Sequence, residues 1–71
     1  MKKYLVIIEK TETGYSAYSP DVEGCIATAK TKKAVEKQMQ EAIAFHVEGM
    51  TSEGYEIPVP KSYSKYMEVA A

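Results

Sequence analysis

From Thr31 onward the apolar residues stop alternating and fall into a helical stripe. Val35, Met39, Ala42, Ile43, His46 and Met50 recur at +4, +7, +8, +11 and +15, one face of a helix with 3.6 residues per turn. This constrains the fold more than any other feature. It is the only long helical pattern in a chain of 71 residues, and a chain this short buries only ~60% of the surface it exposes when unfolded. Whatever precedes and follows the helix must pack against that single stripe around a thin core. Thr31 is a candidate N-cap, but Lys32 and Lys33 put positive charge at the positive end of the helix dipole, at a cost of about 0.3 to 1 kcal/mol each. Lys32 can reach Glu36 and Lys37 can reach Glu41 at i,i+4, in the weaker Lys-before-Glu order. Gly49 or Gly54 is expected to end the helix.

Before Thr31 the period is two. "YLVIIE", residues 4 to 9, is apolar on both alternating faces and reads as a first strand. "KTETG" is a turn, with Gly14 expected to supply a positive φ. "YSAYS" follows as a second strand, with Tyr15, Ala17 and Ser19 on one face and Ser16 and Tyr18 on the other, until Pro20 removes a backbone donor. "PDVEG" is turn chemistry, and "CIATAKT" from Cys25 reads as a weaker third strand. After the helix, Pro58 and Pro60 keep "YEIPVP" non-helical. "SYSKYMEVA" alternates Tyr63, Lys65, Met67 and Val69 against Ser64, Tyr66 and Glu68 and reads as a fourth strand. The expected fold is α/β in the α+β sense: β-β-β-α-β, a four-stranded sheet with one helix packed on one face, residues 1–71 forming a single domain. One sheet face then lacks a cover, so a homodimer or tetramer is expected.

Charge narrows the function classes. Nine lysines face ten acids for a net charge of -1, and there is no arginine. The chain therefore lacks both a polyanion-binding excess and the planar fork that reads base edges or clamps phosphate. The one cysteine cannot form an internal disulfide, and the apolar run near the N-terminus ends at Glu9, too short for a signal-peptide core or a membrane span. A cytoplasmic protein is expected.

The ordered set "GYSAYSPDVEGCIATAKT", "AVEKQMQEAIAFHVEGM" and "SEGYEIPVPKS" resembles the HicB-like antitoxins. These have a truncated, partial ribonuclease-H-like fold. The resemblance lies in a Pro-Asp-x-x-Gly-Cys turn, a helix with Glu-Ala and His-x-Glu-Gly elements, and a Gly-x-x-Ile-Pro-x-Pro exit, and it covers roughly residues 4 to 63. It implies a partner, a HicA-like mRNA-cleaving ribonuclease toxin whose active face the antitoxin occludes. Many members also carry a C-terminal DNA-binding domain. Here the chain closes on "VAA" at the end of the fourth strand, so no separate DNA-binding domain, and no direct DNA binding by this chain alone, is expected. Lys32 and Lys33 also depart from the family, which often has acidic residues at those places.

The candidate site residues follow from this reading. Asp21 and Glu23 are the candidate toxin-binding acids, able to meet a basic RNA-binding surface. Pro20 and Gly24 are expected to shape the turn. Lys32 and Lys33 are candidate anion contacts at the helix N-terminus. His46, on the apolar stripe, and Cys25, without a CxxC partner, are expected to be buried or at an interface. Two-metal nuclease chemistry needs carboxylates clustered on the sheet. The middle of the first strand offers only Val6, Ile7 and Ile8, with Glu9 at its end, so Asp21, Glu41 and Glu48 have no companion there. No catalytic residue, metal or cofactor is expected, and the chain is read as a non-enzyme. A competing reading is an accessory domain that binds nucleic acid through a tyrosine-rich sheet face and the lysines at the helix N-terminus.

Overall fold

The helix forms where the stripe requires it. In a computed structural model that describes residues 2–71, α1 spans Lys32–Ser52. Thr31 lies in extended backbone, and its Oγ1 accepts the Ala34 amide at 3.1 Å, satisfying one of the orphan donors of the first turn. That turn contains no acidic residue, so Lys32 and Lys33 oppose the dipole without local compensation. At the other end Gly54 takes φ 79°. The Tyr55 amide then reaches the Met50 carbonyl at 2.9 Å and the Gly54 amide reaches Thr51 at 3.1 Å, a Schellman ending. Gly54 stops the helix, and Gly49 lies within it.

Three short strands precede the helix: β1 (Ile7–Lys10), β2 (Tyr15–Tyr18) and β3 (Ile26–Ala29). They pair antiparallel in the order β1-β2-β3. The register aligns Ile8, Ala17 and Ala27 in one row and Lys10, Tyr15 and Ala29 in another. Side chains of a strand alternate between faces, so these rows share a face. Ala17 is buried on it, and Ile8, Tyr15, Ala27 and Ala29 pack against the core. The opposite face carries the row Ile7, Tyr18 and Ile26 and the row Glu9, Ser16 and Thr28. It meets no element among the described residues, and Ile26 is 73% exposed.

The turn between β1 and β2 corrects one expectation. Gly14 has no positive φ. It is required for space, because a Cβ there would collide with the carbonyl oxygen of Ala29 on β3. The first strand also begins later than the apolar run suggests, at Ile7 rather than Tyr4. The Leu5 carbonyl accepts the Ser19 hydroxyl at 2.7 Å instead of a ladder bond, and the Tyr4 hydroxyl donates to the Pro58 carbonyl at 2.7 Å.

The expected fourth strand does not form. Residues 55–71 contain no helix, strand or turn. The cause lies in their donors. Pro58 and Pro60 have no N–H to give a ladder, and the next two amides, Lys61 and Ser62, donate to Asp21. The chain is thereby drawn to the β2–β3 loop at the end of the sheet instead of running beside β1. Beyond that point Tyr63, Tyr66, Met67 and Val69 are all largely exposed. The observed architecture is α+β, a three-stranded antiparallel meander with α1 on one face.

Candidate functional site: the loop between the second and third strands

The loop 19–25 is built around a buried residue. Val22 has no solvent exposure and joins Ala17, Cys25, Val35 and Met39 in the core. Two turns fold the backbone around it, with the Val22 amide donating to the Ser19 carbonyl and the Cys25 amide to the Val22 carbonyl, each at 3.3 Å. Gly24 takes φ 84°, a conformation that side chains with a Cβ rarely adopt, and this turns the chain into β3. Pro20 lies just past β2, where its missing donor breaks no ladder bond.

Turning Val22 inward places its neighbours outward with different roles. The Asp21 carboxylate is fully engaged within the chain. Its Oδ2 accepts the amides of Lys61 and Ser62 at 2.9 and 2.8 Å, and its Oδ1 accepts the Ser62 hydroxyl at 2.8 Å. The Ser62 amide, opposed by partial desolvation and helped by the Ser62 hydroxyl and by Lys61, holds the Asp21 carboxyl below its ordinary 3.8. Glu23 is exposed and borders a shallow depression with Pro20, Asp21, His46, Pro58 and Lys61. The loop thus gathers three separated parts of the sequence: the turn itself, the His46 turn of α1 and the exit segment at 58–62. The sequence reading did not find Lys61 and Ser62 as partners of Asp21. The only signal for them was a serine and a lysine directly after the two prolines, where backbone amides lose any ladder.

The remaining candidates are distributed as follows. His46 is half-buried at the edge of that depression. Cys25 is buried, with its thiol 3.8 Å from the Ala42 carbonyl, and burial pushes its pKa above the ordinary 9.0. Its sulfur therefore stays protonated and inert at neutral pH. Lys32 and Lys33 are exposed and lie at the far end of α1 from His46. Among the described residues, no three His, Cys, Asp or Glu side chains come close enough to hold a metal. The tyrosines do not share one sheet face. Tyr15 packs toward α1 and Tyr18 points away, as residues three apart on a strand must. Three others, Tyr55, Tyr63 and Tyr66, lie after the helix.

These observations define a small α+β domain, one helix over a three-stranded meander, whose surface loop is pinned to its own C-terminal segment. The family described as "HicB_like antitoxin of bacterial toxin-antitoxin system" matches residues 4–70, and the chain belongs to that family. Among similar proteins is an uncharacterized 14.9 kDa protein of Haemophilus phage HP1, 36% identical over 64 residues, which cover 90% of this chain. The chain spans 48% of that phage protein's length. A UPF0150 protein of Thermoplasma acidophilum, Ta0767, is 39% identical over 57 residues, covering 79% of this chain and 83% of the relative. Among solved structures, a chain of the HicA3 and HicB3 toxin-antitoxin complex superposes with a TM-score of 0.69 at 35% identity, covering 84% of this chain and 70% of that one.

Proposed function

We propose that this chain is the antitoxin of a toxin-antitoxin pair, acting by binding and not by catalysis. Its partner is a HicA-like, mRNA-cleaving ribonuclease. The observation that carries the reading is the family match over residues 4–70, supported by the likeness to a chain of a HicA3 and HicB3 complex. The protein acts sterically, covering the toxin's active face and keeping RNA out. It works in the cytoplasm; no helix among the described residues is long and apolar enough to cross a membrane. Its uncovered sheet face and exposed C-terminal residues support self-association.

The β2–β3 loop is the contact surface in this reading. Glu23 meets the basic surface that a ribonuclease presents to RNA, and a charge of this exposed kind acts mainly on association rate and its salt dependence. Asp21 contributes through the loop's shape, since its oxygens are engaged by Lys61 and Ser62. The test is co-expression with a HicA-like ribonuclease toxin, followed by an RNA-cleavage assay on the purified pair. The wild-type chain restores growth and suppresses cleavage. Glu23→Lys slows complex formation about tenfold or more at low salt, with the difference shrinking as salt rises. A toxin that the chain leaves active, or RNA binding by this chain alone that weakens steeply with salt, would overturn the reading.

A further inference from the structure

We infer that residues 63–69 form a strand that adds to the β1 edge of a second copy of this chain, filling the groove between that edge and α1. This deepens the self-association part of the proposed function and rests on it, and it is independent of the toxin. Three observations carry the inference.

The first is a gap in the sheet. Among the described residues β1 pairs only with β2, which leaves its other edge with unused ladder donors and acceptors. Beside that edge runs an open groove of about 710 Å³, walled by Tyr4, Val6 and Ile8 on one side and Met39, Ile43 and Val47 of α1 on the other. Among the described residues no strand of the chain pairs with that edge. The second is the tail. Residues 63–69 alternate as a strand does, yet Tyr66 is 102% exposed and Met67 73%, so their apolar side chains have no cover within their own chain. The third is the clamp. Asp21 holds Lys61 and Ser62 at the loop end of the sheet, and none of the exposed residues 63–69 lines the groove of its own chain, which leaves them available to another copy.

The two surfaces match in size and chemistry. Seven residues in a strand span roughly 23 Å, the length of β1 with the residues that lead into it. With Tyr63, Met67 and Val69 turned into the apolar part of the groove, Lys65 lies on the same side, where the lining carries Glu36 as well as Lys2 and Lys3. Tyr66 then falls on the opposite face, where it extends the row of Ile7, Tyr18 and Ile26. Pairing of main-chain groups supplies the attraction and the alternating side chains fix the register, as in other strand additions. Because each copy has one tail and one edge, two copies can close the exchange reciprocally.

The experiment is sedimentation of the full chain over a concentration series, with far-UV circular dichroism to verify folding. Tyr66→Pro removes a ladder donor and Met67→Asp puts a charge into the groove, and both residues are exposed in the isolated chain, so neither change disturbs its fold. The wild type is expected to dimerise, and each variant to weaken the dimer roughly thirtyfold or more, as for interface anchor residues. Ile26→Asp on the open sheet face should leave dimerisation within about threefold, as for residues outside an interface. A wild type that stays monomeric overturns self-association itself. A dimer that both tail variants leave intact and Ile26→Asp breaks overturns the strand addition alone and assigns the interface to the open sheet face.

Discussion

Val22→Ala tests whether the candidate site is held in shape by the core. Val22 is the one residue of the β2–β3 loop with no solvent exposure, and it touches the cluster that includes Val35 and Met39 of α1. Removing its two methyl groups forfeits about 1.6 kcal/mol at roughly 0.8 kcal/mol per buried carbon. The turns that tie Val22 to Ser19 and Cys25 prevent the loop from settling into the vacated space. A cavity contribution therefore adds to the transfer loss, for a total of about 2 to 3 kcal/mol. A chain of this size has about 4 to 10 kcal/mol of total stability, so the loss is a large part of the whole. It corresponds to a drop in Tm of roughly 10 to 20 °C. Val22→Thr keeps the shape but buries a hydroxyl, and leaving that group without a partner costs about 1 to 3 kcal/mol. The assay is urea unfolding followed by circular dichroism, at one protein concentration so that self-association does not alter the comparison, with an unchanged m-value. A Val22→Ala cost under about 0.5 kcal/mol, well below the range for buried truncations, together with a neutral Val22→Thr, would refute the anchoring role.

Other expectations follow from single contacts. The Asp21 carboxyl is held below its ordinary value by the Ser62 amide and hydroxyl and by Lys61. Its clamp is therefore fully present above the ordinary carboxylate range and is lost as pH falls through the lower folded value. The protection of the Lys61 and Ser62 amides, taken as observed exchange relative to the intrinsic rate at each pH, should fall as pH drops through that value, and Asp21→Ala should remove the same protection at every pH. Gly14→Ala drives a methyl into the Ala29 carbonyl and should cost about 1 to 3 kcal/mol in urea unfolding. Gly54→Ala, with open space around it but a φ of 79°, should cost about 1 kcal/mol. Thr31→Ala should lose about 1 kcal/mol of stability with the cap. Replacing both Lys32 and Lys33 by Gln should raise stability by about 0.6 to 2 kcal/mol at low salt and by less at high salt.

The helix was legible because its stripe is long and carries both ends with it: a threonine that can cap and a glycine that can take a left-handed conformation. The three strands were legible in order and in facing, since Ala17 buried and Tyr18 exposed follow from alternation. Their limits were less so. Whether Leu5 and Ser19 extend the ladder or bond through a side chain is decided by where β2 must turn. The fourth strand was misread because alternation shows only that a segment can pair. It contains no information on which edge is within reach, and here Asp21 takes the donors that would have begun the ladder. Val22 escaped the sequence reading for the opposite reason. A single valine in "SPDVEGC" has no period, and only the tertiary fold shows that the turn hangs from it.

Asp21 and Glu23 look equivalent in the sequence, two acids in one turn, and the fold separates them. Between them Val22 points into the core, so the two flanking side chains are set at the surface by a fixed anchor. Asp21 faces the exit segment, where two amides and a hydroxyl await it, and Glu23 faces outward. Asp21 therefore acts on where the exit segment lies. Glu23 is left to act on what approaches the loop from outside. A substitution at Asp21 that weakened toxin binding would thus be evidence for a conformational effect unless its tail amides stayed protected. A matching effect at Glu23 carries no such ambiguity, because its change alters neither the core nor the clamp.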